Sequence, residues 1–322
     1  DLADPKDKIH LFEAVGYASQ MMLTDEFGEC VSVLERVLDD DPEIPQAKHM
    51  LATCYRRTGR TDEAKALLDE NLRDHPDSTP ALITMAGFLS EEGRNDEVVA
   101  LAKRVLAVDD RNAQAYALMA AAHMATNDHR AALPLLETAV EIQPKLTRNR
   151  LNLAAATIAL GRPGDAEPML RAVIAEKPKF PLAHFHLALV YEAQGRTAEA
   201  RRAYEDELEL YPQSVAPRFN LGDLLFRSGD FDAASRQMAT LTDEAPELAK
   251  PYFLSARILL KQERDLPEVE RLAKAGLERT AEDELKVLGY YLLADVYSRQ
   301  GRQVELQQVL ERAQVYRSKL GR

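Results

Sequence analysis

LALVYEAQGRTAEARRAYE, residues 187–205, sets the pair Gly195-Arg196 between two runs whose apolar residues have helical spacing. The same pair recurs as Gly59-Arg60, Gly93-Arg94, Gly161-Arg162 and Gly301-Arg302. A row of glycine–cation pairs reads either as phosphate-cradling turns or as repeated architecture. The spacing of the prolines decides between them. Pro42, Pro76, Pro144, Pro178, Pro212 and Pro246 lie 34, 68, 34, 34 and 34 residues apart, and Asp110 fills the vacant slot. A fixed period of this size is the mark of stacked supersecondary units.

With Pro76 at place 32, repeats begin at 11, 45, 79, 113, 147, 181, 215 and 249, and a ninth begins near 287 after extra residues around Thr280 to Asp283. Other places hold the register. Place 8 reads Ala18, Ala52, Ala86, Ala120, Ala154, Ala188, Gly222, Ala256 and Ala294. Place 20 reads Cys30, Ala64, Val98, Ala132, Ala166, Ala200 and Ala234, and place 24 is mostly leucine. Small residues let two helix backbones approach closely, and larger ones fill the space beside them.

Each repeat is therefore predicted to be a helical hairpin, helix A near places 2–14 and helix B near places 17–30, which buries its apolar face only by stacking on neighbours. Place 15 is Gly59, Gly93, Gly161, Gly195, Gly229 and Gly301, with Asn127 in the fourth repeat. A helix that ends on a left-handed residue takes Gly first and Asn next. A phosphate loop has no reason to accept Asn. Place 16 is also Asp128 and Asp230, so the pairs are turns, and Arg196 is read as a solvated neighbour. Thr61 and Thr197 are read as N-caps ahead of first-turn acids. Pro134 and Pro168 are expected to delay or bend their helices without functional consequence.

Leu187, Ala188, Tyr191, Gly195, Ala200, Tyr204 and Pro212 occupy signature places of a known repeat, and on these residues the chain resembles the tetratricopeptide repeat family. The resemblance runs over residues 11–316. It implies an all-α fold, a right-handed α-α superhelix, with residues 1–10 as a linker or N-terminal extension and 317–322 as a tail. Departures are Lys48, Arg150, His184 and Arg218 at place 4, and Glu263 where the eighth repeat should have its turn glycine.

In this family the concave helix-A surface carries ligands, at places 2, 5, 6, 9, 12 and 13. The candidates so implied are Leu151, Phe185, Phe219, Phe253 and Tyr291 at place 5, and Asn152 and Asn220 at place 6. Asp223, Arg257 and Asp295 follow at place 9, and Arg227, Lys261 and Arg299 at place 13. Aromatic anchors flanked by charges would suit an extended or helical protein segment. The competing reading is that the place-5 aromatics pack between neighbouring A helices. No repeat has the Lys at place 5 with Asn at place 9 by which some relatives grip a C-terminal carboxylate, and no continuous asparagine ladder is present.

The remaining sequence argues against chemistry. None of the seven histidines forms a metal-binding pair, and no nucleophile elbow or nucleotide loop occurs, so no metal, no cofactor and no enzymatic activity are expected. The net charge is −12; residues 1–45 hold twelve acids against three bases, −9, which leaves −3 for the rest. That is not a nucleic-acid-binding surface, and no apolar run reaches the ~20 residues of a bilayer span. Cys30 and Cys54 read as small buried residues with no disulfide framework, which leaves the redox compartment open. The chain starts at Asp1 with no initiator methionine or signal core, and is expected to be a mature or excised piece of a longer protein.

The opening DLADPKDKIHLFEAV resembles the linker between a sulfatase-type hydrolase domain and its repeats in bacterial fusions, which would make the repeats a substrate-positioning module. Long bacterial arrays also resemble scaffolds of envelope polysaccharide assembly. Arg outnumbers Lys 28 to 13, which suits a GC-rich bacterial genome. The leading expectation is a protein-binding scaffold of cytoplasm or periplasm, with a lean to the latter, able to dimerise through its terminal repeats.

Overall fold

The computed structural model describes residues 9–321, all of whose regular structure is α-helical. The chain divides into two compact units, residues 1–162 and 163–322. The first holds α1 (Ile9–Leu23), α2 (Phe27–Asp40), α3 (Pro45–Arg57), α4 (Thr61–Asp74), α5 (Thr79–Glu91), α6 (Asn95–Val108), α7 (Ala113–Ala125), α8 (His129–Ile142) and α9 (Thr147–Ala159). The second holds α10 (Pro163–Glu176), α11 (Ala183–Ala193), α12 (Thr197–Leu210), α13 (Val215–Arg227), α14 (Phe231–Glu244), α15 (Ala249–Lys261), α16 (Leu266–Glu278), α17 (Asp283–Arg299) and α18 (Gln303–Leu320). Odd-numbered helices are A helices and even-numbered ones B helices. Within each unit consecutive helices pack on one another as antiparallel pairs, which is the α-α repeat class of fold.

The small-residue places explain the close packing. Ala18, Ala52, Ala86, Ala120, Ala154, Ala188 and Ala256 are wholly buried, as are Cys30, Ala64, Val98, Ala132, Ala166, Ala200 and Ala234. Gly222 replaces alanine for a visible reason: a Cβ there would stand 2.3 Å from Cε of Met238. In unit 2, Phe253 of α15 fills space left by two other glycines, since a Cβ on Gly276 or Gly289 would lie 2.4 or 2.8 Å from its ring.

Every hairpin bends at a left-handed residue: Gly59, Gly93, Gly161, Gly195, Gly229 and Gly301 at φ between 72° and 82°, and Asp25, Asn127 and Glu263 at 62°, 59° and 53°. In the stretch of residues 187–205, Arg196 N–H donates to the Tyr191 carbonyl at 2.8 Å and Gly195 N–H to that of Glu192 at 2.9 Å. These bonds close the end of α11 as a left-handed C-cap does.

Several expectations are corrected. Thr61 and Thr197 are the first residues of α4 and α12, not caps; Arg60 and Arg196 stand in the cap position. Side-chain caps exist where place 16 is acidic, Asp128 accepting from Ala131 N–H and Asp230 from Ala233 N–H. Pro134 and Pro168 sit inside α8 and α10 without delaying them, because a proline early in a helix removes few backbone bonds. The expected extension over residues 1–10 falls outside the described residues up to position 8, and Ile9 and His10 already belong to α1. The expected tail is helical as far as Leu320. Cys30 of α2 and Cys54 of α3 are buried as expected, but they form a disulfide, their Cα atoms 6.5 Å apart.

Candidate functional site

Arg196 is not a solvated bystander. Its guanidinium lies 4.2 Å from the Tyr191 ring centre. It donates to Glu199 one turn onward at 2.8 Å and to Glu167 on α10 at 3.0 Å. Arg60 repeats the arrangement with the Tyr55 ring at 4.0 Å, Glu63 at 2.9 Å and Glu35 on α2 at 2.9 Å. Arg302 does so with the Tyr297 ring at 4.2 Å, Glu305 at 2.9 Å and Glu270 on α16 at 2.7 Å. In each case the arginine pins its own hairpin to helix B of the preceding one. The Glu270 carboxylate is held at a pKa of about 2: burial opposes this, and hydrogen bonds from Lys274, Arg302 and Tyr297 overcome it. The Gly-Arg pairs therefore belong to architecture, and binding has to be sought on the A helices.

On the A helices of unit 2 the structure sorts the candidates into three groups. Phe253 is 1% exposed and belongs to the core between α15, α16 and α17, so it cannot line a surface groove. Phe185, Asn220, Asp223 and Arg227 do come together. The Phe185 ring lies 6.0 Å from that of buried Tyr204, and Asn220 Nδ2 donates to the Tyr204 hydroxyl at 3.5 Å. The Tyr204 hydroxyl donates to Glu192, which also accepts from Arg227, while Arg227 reaches Asp223 at 2.8 Å. Burial and the bond to Glu192 push the Tyr204 hydroxyl far above its ordinary pKa, so it stays a neutral donor.

The third group stands further along. Arg257 stacks on Phe226 at 4.7 Å, and Asp295 pairs with Arg299 along α17 at 2.8 Å. Tyr291 is 40% exposed, its hydroxyl accepting from Arg317 at 3.4 Å, and Lys261 is exposed at the end of α15. Most of the expected groove charges are thus neutralised within or next to their own helices.

Phe219, half-buried, and Asn220 line a cavity of about 460 Å³ between the starts of α13, α15 and α17. Val215, Leu248 and Leu285 supply the rest of its apolar wall, and Glu247, Lys250 and Glu282 contribute charged groups. The sequence reading missed these residues because they occupy the linkers and first helical positions, not the repeating helix-A places. The exposed Val215, 41% accessible, was the available signal.

In unit 1, Leu151 is 5% exposed and packs in the core, so it too leaves the groove set. Asn152 lines a second cavity, of about 700 Å³, with residues of α7 and α9. His186 of unit 2 is neutral at ordinary pH, its pKa lowered to about 4 by burial. Among the described residues no group of His, Cys, Asp or Glu is arranged to hold a metal, and no helix is long and apolar enough to cross a membrane.

A repeated helical hairpin with small-residue seams and left-handed turns defines a helical-repeat scaffold. Models of the tetratricopeptide repeat match residues 25–86, 59–122 and 191–258, with further ones at 113–146 and 151–215. The chain belongs to the tetratricopeptide repeat family. Among solved structures it is similar to that of the APC/C hetero-tetramer Cut9-Hcn1, with TM-score 0.70 and 15% identity over 87% of this chain and 55% of that one. It is also similar to yeast Tom70, with TM-score 0.55 and 17% identity over 99% of this chain and 66% of that one. At these identities the likeness is one of fold, and the chain spans about half the length of the first and about two thirds of the second. A search of the curated proteins found no match.

Proposed function

We propose that the chain is a non-catalytic scaffold that holds a segment of a partner protein against the A helices of unit 2, with the Phe219 cavity as its anchor seat. The observation that carries this reading is the cavity itself: a half-buried aromatic ring and apolar walls, about 460 Å³, bordered by charged residues. Interface energy concentrates where one large apolar side chain enters such a seat and the surrounding polar groups exclude water. The cluster of Phe185, Asn220, Asp223 and Arg227 extends the same face, with the rigid Tyr204–Glu192 pair behind it. A preformed seat spares the partner much of the ordering cost of binding.

The test is a random peptide library displayed on phage and panned on the wild-type chain, with selected peptides remeasured by calorimetry on variants. Selected sequences are expected to share a large apolar residue, and Phe219→Ala to weaken them tenfold or more while leaving the melting profile unchanged. Phe253→Ala is expected to behave differently, costing about 3–5 kcal/mol of stability as a core deletion. Equal binding of the selected peptides to wild type and Phe219→Ala would sink the proposal.

A further inference from the structure

The cavity of unit 1 differs in kind from the Phe219 seat. It lies between the first turns of α7 and α9, measures about 700 Å³, and has a polar wall. Ala117 and Ala121, one turn apart on α7, leave the room. Arg111 and Arg148 both line it and are exposed, and among the described residues neither guanidinium is engaged in an ion pair. This contrasts with Arg60, Arg196 and Arg302, each fixed by two carboxylates. One carboxylate shares the wall, Asp109, and it accepts from Arg111 N–H at 3.2 Å and from the Asn112 side chain at 3.1 Å, so it serves its own turn.

A second observation points the same way. Asn149 lines the cavity, is 2% exposed, and its Nδ2 has no hydrogen-bond partner. The same place in other repeats is Ala47, Ala81, Ala115 and Ala183. A buried amide left unpaired costs about 1–3 kcal/mol, which alanine would avoid. An acceptor brought by a ligand removes that cost. Asn152, one turn further along α9, and Gln114 on α7 add amide donors to the same wall.

We propose that this cavity is a carboxylate seat for an acidic peptide, with Arg111 and Arg148 supplying the charge and Asn149 a buried donor. Guanidinium groups match a planar carboxylate in two parallel bonds. With Asp109 counted, the wall carries one net positive charge, which suits a single carboxylate better than a doubly charged phosphate. The inference deepens the reading of the chain as a binder of protein segments, and places the acidic residue of such a segment in unit 1.

The test uses the full chain, isotopically labelled so that the Asn149 side-chain NH2 signal is followed, and three nonapeptide probes of common background. One carries an internal Glu and an amidated C-terminus; the second has Gln in its place; the third has Gln and a free C-terminal carboxylate. A shift of the Asn149 signal by the first or third probe but not by the second is expected, and which of the two acts names the source of the carboxylate. Arg111→Gln and Arg148→Gln should each weaken that probe at least tenfold while melting as wild type does. Asn149→Ala should weaken it without loss of stability. Equal binding of the Gln-amide probe, unchanged binding by the arginine variants, or equal affinity for inorganic phosphate overturns the inference. Phe219→Ala should leave these titrations untouched, so failure of the apolar seat and failure of the carboxylate seat are read separately.

Discussion

Glu270 gives the sharpest quantitative check on the arginine brackets that tie one hairpin to the next. Its carboxylate receives Lys274 at 2.6 Å, Arg302 at 2.7 Å and the Tyr297 hydroxyl at 3.0 Å, with only 16% of its side chain exposed. These bonds lower its pKa from 4.5 to about 2 against the opposing effect of burial. A carboxyl whose folded pKa is depressed binds protons more weakly when folded. Its stabilisation is therefore fully present above about pH 4.5 and is lost as pH falls toward about 2. The shift corresponds to a ceiling of about 3 kcal/mol, and screening around Arg302 and Lys274, 35% and 54% exposed, roughly halves it. Of that remainder about 1 kcal/mol should vanish between pH 7 and pH 3.

The perturbation is Glu270→Gln, which keeps the shape and removes the charge. Urea unfolding of variant and wild type, followed by circular dichroism, should show a stability gap at pH 7 that narrows by about 1 kcal/mol at pH 3. A gap of the same size at both pH values would mean that Glu270 acts by packing alone, and the bracket reasoning would fail.

Two further outcomes are expected. Gly195 has φ of 73° and open space where a Cβ would go, so Gly195→Ala should cost about 1 kcal/mol through backbone strain only. Glu263→Gly, at φ 53°, should gain a similar amount, about 1 kcal/mol, in the same urea assay. Reducing the Cys30–Cys54 bond, whose ends are 24 residues apart, should destabilise unit 1 by about 3 kcal/mol by releasing loop entropy in the unfolded chain. Hydrogen exchange of α2 and α3 with and without reductant reads this directly, and unchanged protection would refute it.

The turns were legible to the residue. Gly and Asn at place 15 are chosen by a left-handed φ that is local to the chain, and the structure adds only that Asp25 and Glu263 accept the same conformation. The small residues of places 8 and 20 were legible for a related reason: each packs at the same spot in every repeat, so a periodic requirement left a periodic record. The binding candidates were less so. Phe219 and Phe253 occupy the same place of successive repeats, yet one lines a cavity and the other is 1% exposed. The difference comes from Gly276 and Gly289, which make room for the Phe253 ring and lie outside any repeating place.

The arginine of the Gly-Arg pair shows where the sequence stops. Its residue type, its turn and its acid one turn onward are all local. Its second partner is not, because Glu35, Glu167 and Glu270 stand at three different places of the preceding repeats. No period reveals such a pairing. The disulfide is of the same kind, joining helices of different repeats whose proximity depends on how hairpins stack. The sequence by itself determined the period, the hairpins, their turns and the family, since backbone conformation and seam packing are set by residues near in the chain. Tertiary structure alone decided which aromatics are anchors, which charges are already paired, and where an unpaired amide meets two unpaired arginines, since each depends on side chains brought together from separate helices.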